Sequence, residues 1–281
     1  MSYILKFSNK AKTLQKLKFH FKEKINIPEF LFFTKKEVLK NDDVIKKVIK
    51  KFRNSSIIIR SSALDEDNYN NSNAGKYDSV IIKNLNTDKI KNSLKKIFTK
   101  LKSKKDIVIF QKLLTEPEIF GVIFTRDINT NAPYYVIDFD KSKKTNLITS
   151  GKKSASQQTL NILKKSLIVP NEFKKLINIV NKIEKITKNN RLDIEFAIKK
   201  KKVFIFQARP LKKSKGINET IFYSVITNLE KKIQKVLSKD PNLSGQKNIL
   251  SNMSDWNPAE MIGSKPTKLS YSLYSELITD K

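Results

Sequence analysis

Two short segments hold the residues best suited to chemistry. Residues 57–67 read IIIRSSALDED, and residues 191–210 read RLDIEFAIKKKKVFIFQARP. The first is an apolar strand over Ser56 to Ile59, followed by Arg60, Ser61 and Ser62. A strand end is a rigid platform for a loop that meets a ligand. An arginine there can fork onto phosphate oxygens while hydroxyls add donors. The same arginine could instead pair with Asp65, Glu66 or Asp67. The second segment reads as a hairpin. Asp193 and Glu195 are two apart and share one strand face, while Leu192, Ile194 and Phe196 take the other. Two carboxylates on one face repel unless a cation lies between them, and Mg2+ accepts a few carboxylates together with phosphate oxygens. On the next strand Gln207 and Arg209 are also two apart. The Gln207 amide oxygen would complete a metal shell with Glu195, and Arg209 would take a phosphate. The alternative is a solvated face balanced by the lysines at 199–202. The full inventory of cations, hydroxyls and metal-ligating oxygens is what binding ATP with Mg2+ requires.

The hairpin register decides whether these four residues meet. A three-residue loop centred on Lys201, with a bulge, sets Glu195 opposite Gln207 and Asp193 opposite Arg209. A two-residue loop at Lys200 and Lys201 sets Ile194 opposite Gln207 and scatters the group. Lys10 stands where a helix begins, a place where lysine and helix dipole can together meet phosphate, although a solvated lysine has the same spacing. There is no GxxxxGK[ST] or GxGxxG segment. The absence of cysteine excludes Cys-His dyads and thiolate metal sites, and the single histidine, His20, reads as a helix-surface residue rather than a member of a Ser-His-Asp triad.

The 281 residues are 39% hydrophobic, with six glycines and eight prolines, enough for a sizeable core and too ordered for a low-complexity chain. The net charge of +30 invites a nucleic-acid reading. Of the 57 basic residues, however, five are arginine and 52 are lysine, spread through the chain among Asn and Ile. That pattern reads as compositional bias, with nonspecific polyanion adhesion expected and no specific nucleic acid. Against such a background the arginines Arg53, Arg60, Arg126, Arg191 and Arg209 mark places needing a planar, bidentate donor. The absence of cysteine, of a signal-peptide apolar region and of a membrane-length apolar run predicts a cytoplasmic protein.

Apolar periodicity predicts helices over 9–21, 37–52, 88–101, 172–187 and 218–237. It predicts strands near 3–7, 77–82, 107–114, 119–125, 134–139 and in the 192–207 hairpin, an extended piece over 27–33 and a polar loop over 64–75. Strands and helices without strict alternation give an α+β class.

Taken in order, SNKAKTLQKL, IIIRSSALDED, AGKYDSVI, IVIFQKLL, GVIFTRD, LDIEFAI and FIFQARP resemble the N-terminal nucleotide-binding domain of the phosphoenolpyruvate synthase and pyruvate phosphate dikinase family. The resemblance implies an ATP-grasp-like bilobed fold. Its lobes would be 1–110 and 111–211, with 212–281 a helical tail that stops short. It implies ATP and Mg2+ as cofactors. Lys10 and Arg60 would lie on phosphate, Gln111 near adenine, Asp193 and Glu195 near nucleotide and metal, and Gln207 and Arg209 would be the QxRP pair; as in the family, Arg60 and Arg209 would stabilise the charge of the moving phosphoryl group. Three departures stand out. Ser8 and Asn9 replace glycines, FTRDINTN replaces FTRDP-x-TG, and 140–165 lacks a glycine-rich acidic run. No TSHGG-like phosphohistidine motif occurs. The expectation is therefore a phosphotransferase domain, incomplete alone, whose acceptor comes from a small molecule or a separate chain carrying a phosphohistidine domain. The alternatives are a degenerate scaffold of the same fold or a basic nucleic-acid binder.

Overall fold

Runs with period two build two antiparallel sheets, and the apolar face of each dictates where its helices lie. The computed structural model describes residues 4–62, 79–142, 156–166, 168–211, 216–237 and 262–279. They form two compact units, Met1–Glu219 and Thr220–Lys281.

In the first unit one sheet has the order β1-β4-β2-β3, from β1 (Phe30–Thr34), β2 (Ile57–Ser62), β3 (Ser79–Ile82) and β4 (Ile107–Lys112). Ile57, Ile59, Val108 and Phe110 bury one face against α3 (Asp43–Lys51) and α4 (Thr87–Phe98). The opposite face offers Ile107 and Ile109 to Ala11 of α1 (Lys10–Phe21).

The second sheet has the order β7-β6-β5-β8-β9, from β5 (Ile119–Phe124), β6 (Tyr134–Asp140), β7 (Gln157–Leu163), β8 (Leu192–Lys199) and β9 (Lys202–Pro210). Ile123, Ile137, Ile194, Phe196 and Ile205 pack with α5 (Asn171–Thr187) and with Leu14, Leu17 and Phe21 of α1. Helix α1 thus touches both sheets, and its first residue, Lys10, is buried. Asn26 extends the second sheet past β9, giving its amide N–H to the Val203 carbonyl and accepting from the Ile205 backbone N–H. Gly121, on central strand β5, stands opposite both Phe139 and Phe196. Their rings pack edge-on to Phe173 of α5 at 5.0 and 6.4 Å.

The α+β class is as the sequence predicts, with four local differences. The helix expected over 37–52 is two: α2 (Lys35–Lys40), started by a Thr34–Glu37 capping box, and α3. Asn41 breaks it by taking extended dihedrals and accepting from the Asp43 N–H through its side chain. The strand expected to end at Ile59 runs to Ser62, so Arg60 lies within β2. Strand β7 was not expected, because as a largely exposed edge strand its QQTLNIL has no apolar alternation. The short strand expected over 3–7 does not form: residues 4–7 belong to no sheet. Residues 64–75 and half of the 140–165 departure lie outside the described residues.

The second unit contains α6 from Thr220 to Leu237, whose first residue, Glu219, closes the first unit, and α7 (Lys268–Tyr274). Neither helix has a buried residue. No described helix is long and apolar enough to cross a membrane.

Candidate nucleotide site

The β8–β9 hairpin brings four of the expected residues onto one face by a route the sequence did not indicate. Its loop is the two-residue one, Lys200 and Lys201, both left-handed at φ 48° and 58°, with Lys199 opposite Lys202. That register alone would have scattered the group. A bulge next to Glu195, with Phe206 as the extra residue, corrects it. Beyond the bulge Glu195 faces Gln207 and Asp193 faces Arg209. The expected three-residue loop is therefore wrong, and the expected site register holds because the bulge lies in the strand.

Arg60 reaches this face from the other sheet. Its Nη2 donates to Glu195 Oε2 at 2.7 Å, with the two side chains 11% and 14% exposed. Arg209 donates from Nε at 2.8 Å and Nη2 at 2.7 Å to one oxygen of Asp193. Lys10 lies near enough for its charge to lower the pKa of both carboxyls. The repulsion expected to require a metal is thus met by two guanidinium groups and an ammonium. Asp65, Glu66 and Asp67, the other candidate partners of Arg60, lie outside the described residues.

Gln111 pairs with Ile58 on β2, one step from the Arg60–Ile109 pair, and so shares the face of Arg60. Ser62 shares that face as well. Ser61 points the other way, toward the side of Ile59 and Val108, so only one of the two expected hydroxyls is on the site face. Gln111 Nε2, Ser62 Oγ and Gln207 Oε1 are buried with no hydrogen-bond partner among the described residues. Buried polar atoms without partners are uncommon and costly. Beside the charged cluster the sheet face is aromatic: Phe120 and Phe206 meet at 5.9 Å, packed with Ala197, Leu114 and Phe204. The sequence reading missed this patch, whose signal was the F-I-F alternation in β9.

Burial raises the Asp193 carboxyl above the ordinary aspartate value, against the pull of Arg209. Burial would raise Glu195 too, but Arg60, then Lys10, outweighs it and holds that carboxyl below the ordinary 4.5. The two therefore act oppositely on stability. The Glu195 contribution is complete above 4.5 and is lost as pH falls through the lowered folded value. Asp193 costs stability as pH rises from 3.8 toward its raised value. Glu195→Gln should accordingly flatten the fall of the urea midpoint between pH 5 and 3 relative to wild type. Parallel curves would show that Glu195 is not held ionised.

The oxygens free for a metal are few. Gln207 Oε1 is unpartnered and Glu195 Oε1 makes no described hydrogen bond, which suits Mg2+, an ion that keeps waters and phosphate oxygens in its shell. No group of three or more His, Cys, Asp or Glu able to hold a metal occurs among the described residues. With Lys10, Arg60 and Arg209 already facing two carboxylates, a bare divalent ion would be repelled. The residues fit a metal that arrives with a polyphosphate.

The FTRDINTN turn, which lacks the expected proline and glycine, is held by its own side chains. Asp127 Oδ1 accepts from the backbone N–H groups of Asn129 and Thr130 and from the Thr130 hydroxyl. Asn131 takes the glycine position at φ 60°, a conformation asparagine tolerates. Its carbonyl accepts from Arg126 Nη1 at 3.3 Å.

No family model matches the chain, and no curated protein matches it. Among solved structures, D-alanine–D-alanine ligase from Helicobacter pylori overlaps 84% of this chain and 60% of its own, at 10% identity and a TM-score of 0.42. The Bacillus anthracis ligase complexed with ATP overlaps 80% and 67%, at 16% identity and a TM-score of 0.40. The Coxiella burnetii ligase overlaps 81% and 59%, at 10% and 0.42. The chain thus spans about 60% of the length of the Helicobacter ligase. Likeness of this degree assigns neither a family nor an activity.

Proposed function

We propose that the chain is an ATP-binding phosphotransferase domain of ATP-grasp-like, bilobed type, with lobes 1–110 and 111–211 and a tail over 212–281. The observation that carries this reading is the convergence of Arg60 from one sheet on Glu195 of the other, within the face shared by Asp193, Gln207 and Arg209. The motif resemblance to phosphoenolpyruvate synthase supports it. The aromatic half of the face, with Gln111, suits the base. The charged half suits the polyphosphate, with Lys10, Arg60 and Arg209 as cations. Glu195 and Gln207 would hold Mg2+, which supplies charge neutralisation on the phosphate oxygens when bound. As the phosphoryl group leaves, Arg60 and Arg209 stabilise its charge. The acceptor is supplied from outside the chain.

One observation favours a second reading, a binding scaffold without catalysis. Arg60 and Arg209 are already engaged by the two carboxylates, so the site neutralises itself. Thermal unfolding separates the two readings. Mg-ATP at a hundred times Kd should stabilise the chain by about 2.7 kcal/mol, and Mg2+ alone should do nothing. Gln207→Leu should raise the melting temperature without ligand, by removing a buried orphan that costs about 1–3 kcal/mol. The same variant should lose the Mg2+-dependent part of the ATP shift. No shift of the wild type at millimolar Mg-ATP sinks the nucleotide reading.

A further inference from the structure

Strand β7 is an open sheet edge. It pairs with β6 over its whole length and is the last strand of its sheet among the described residues. Just past that ladder the Lys164 N–H donates to the Pro133 carbonyl at 2.9 Å, which fixes the phase of the pairing. Even-numbered residues of β7 turn their backbone groups to β6, and odd-numbered residues turn theirs away. Gln157, Thr159 and Asn161 thus aim N–H and C=O groups outward, where no partner for them occurs among the described residues. The next in that series, Leu163, accepts from the Ser166 N–H. The side chains of Gln158, Thr159 and Asn161 are exposed.

Sheet edges are ordinarily protected by lysine, proline, a bulge or a covering element. Among the described residues β7 has none of these: QQTLNIL holds no charge and no proline, and its register is unbroken. The other edges are shorter or partly closed. Strand β3 has four residues, β1 runs from beside Pro28 to the Thr34–Glu37 capping box, and β9 is bridged by Asn26. An uncharged edge matters in a chain with a net charge of +30. The lysines next to the ends of the β6–β7 ladder are neutralised locally, Lys141 by Glu172 and Lys164 by Glu184, both of α5. A second copy can therefore approach here without setting cation against cation.

We propose that the β7 edge is a self-association surface, on which a second copy of this chain adds its own β7 antiparallel. A two-fold axis through Leu160 makes the strand complementary to itself. Thr159 of each copy then faces Asn161 of the other, and both carry outward N–H and C=O groups. The faces stay matched as well. Leu160, half-buried against the α5-side core, meets its counterpart, and Ile162 meets Gln158. The two five-stranded sheets become one. One strand from each copy makes a small interface, so the association is weak. The proposal does not depend on the nucleotide reading.

The test is sedimentation equilibrium of the full chain from about 1 μM to about 1 mM, the span in which weak interfaces associate. The mean mass should rise from 32.5 kDa toward twice that value. Sodium chloride should strengthen the dimer, because it screens the repulsion between two cationic copies. Asn161→Pro removes an outward N–H and no bond to β6, a position at which an edge strand tolerates proline. It should keep the urea midpoint of wild type and sediment as a monomer throughout. If it does not fold, Asn161→Lys, which sets a lysine from each copy beside the axis, is read the same way. Amide exchange locates the contact: Thr159 and Asn161 should be protected at the high concentration and open at the low one. A chain that stays monomeric, which leaves the edge to a different protein, overturns the proposal. So does a dimer that weakens with salt, survives the variant or leaves those two amides open.

Discussion

Arg60→Met is expected to destabilise the first unit by about 3–5 kcal/mol, the usual cost of stranding one partner of a buried ion pair. The pair is nearly closed to solvent, and Arg60 is the leading cation holding Glu195 ionised. Lys10 and Arg209 also act on Glu195, which keeps the expected loss within that range rather than above it. Adding Glu195→Met should recover most of the loss, since replacing both partners by apolar groups of similar volume is often neutral. A double-mutant cycle read from urea midpoints tests this. Additive losses would mean that the contact across the two sheets is not an energetic one. The cycle also bears on the proposed function, in which a polyphosphate would compete with Glu195 for the same guanidinium.

Gly121→Ala is expected to do comparable damage with one added carbon. A Cβ built at that position meets the Asp138 backbone oxygen at 2.3 Å, the Phe139 Cβ at 2.9 Å and its Cα at 3.0 Å. Two of these are backbone atoms of β6, which cannot yield without opening the β5–β6 ladder. Overpacking a core costs about 1–3 kcal/mol where side chains can shift, so the loss here should reach or exceed the top of that range. The readout is the urea midpoint, with near-ultraviolet circular dichroism reporting the packing of Phe139, Phe173 and Phe196. A variant as stable as wild type would show that the strand spacing at Gly121 is wider than described.

The sheet strands with β-branched or aromatic alternation were legible, as was α5, because each buries one regular face. Strand β7 was not, because it exposes most of its side chains and carries no periodic signal. The split between α2 and α3 lay in Asn41 and Asp42, whose local hydrogen bonds outweigh an apolar spacing that continues across them. At the site, Asp193, Glu195, Gln207 and Arg209 were readable as a set from their spacing. Their partners were less so. The sequence offers Arg60 three acidic residues nearby, and nothing local indicates that Glu195, 135 residues away, would meet it. The loop was misread because Lys-Lys replaces the Asn-Gly or Asp-Gly that usually marks two left-handed turn residues. Asn131 misled in the opposite direction, since it supplies by tolerance what a glycine supplies by freedom.

The Phe206 bulge leaves the hairpin with two stretches of opposite parity. From the tip to Phe196 the strands keep one phase, and from Glu195 outward they keep the other. A residue that supplies no polar group to the site thus acts as the phase adjuster for all four that do. Loss of a single codon between the tip and the bulge, with the bulge kept, would turn Gln207 and Arg209 toward the α5 side and Ala208 toward the charged face. Loss of a second codon in the same stretch would restore them. The hairpin can therefore change length freely in steps of two and hardly at all in steps of one. Its evolutionary record should show insertions at the tip arriving in pairs, or singly with a change at the bulge.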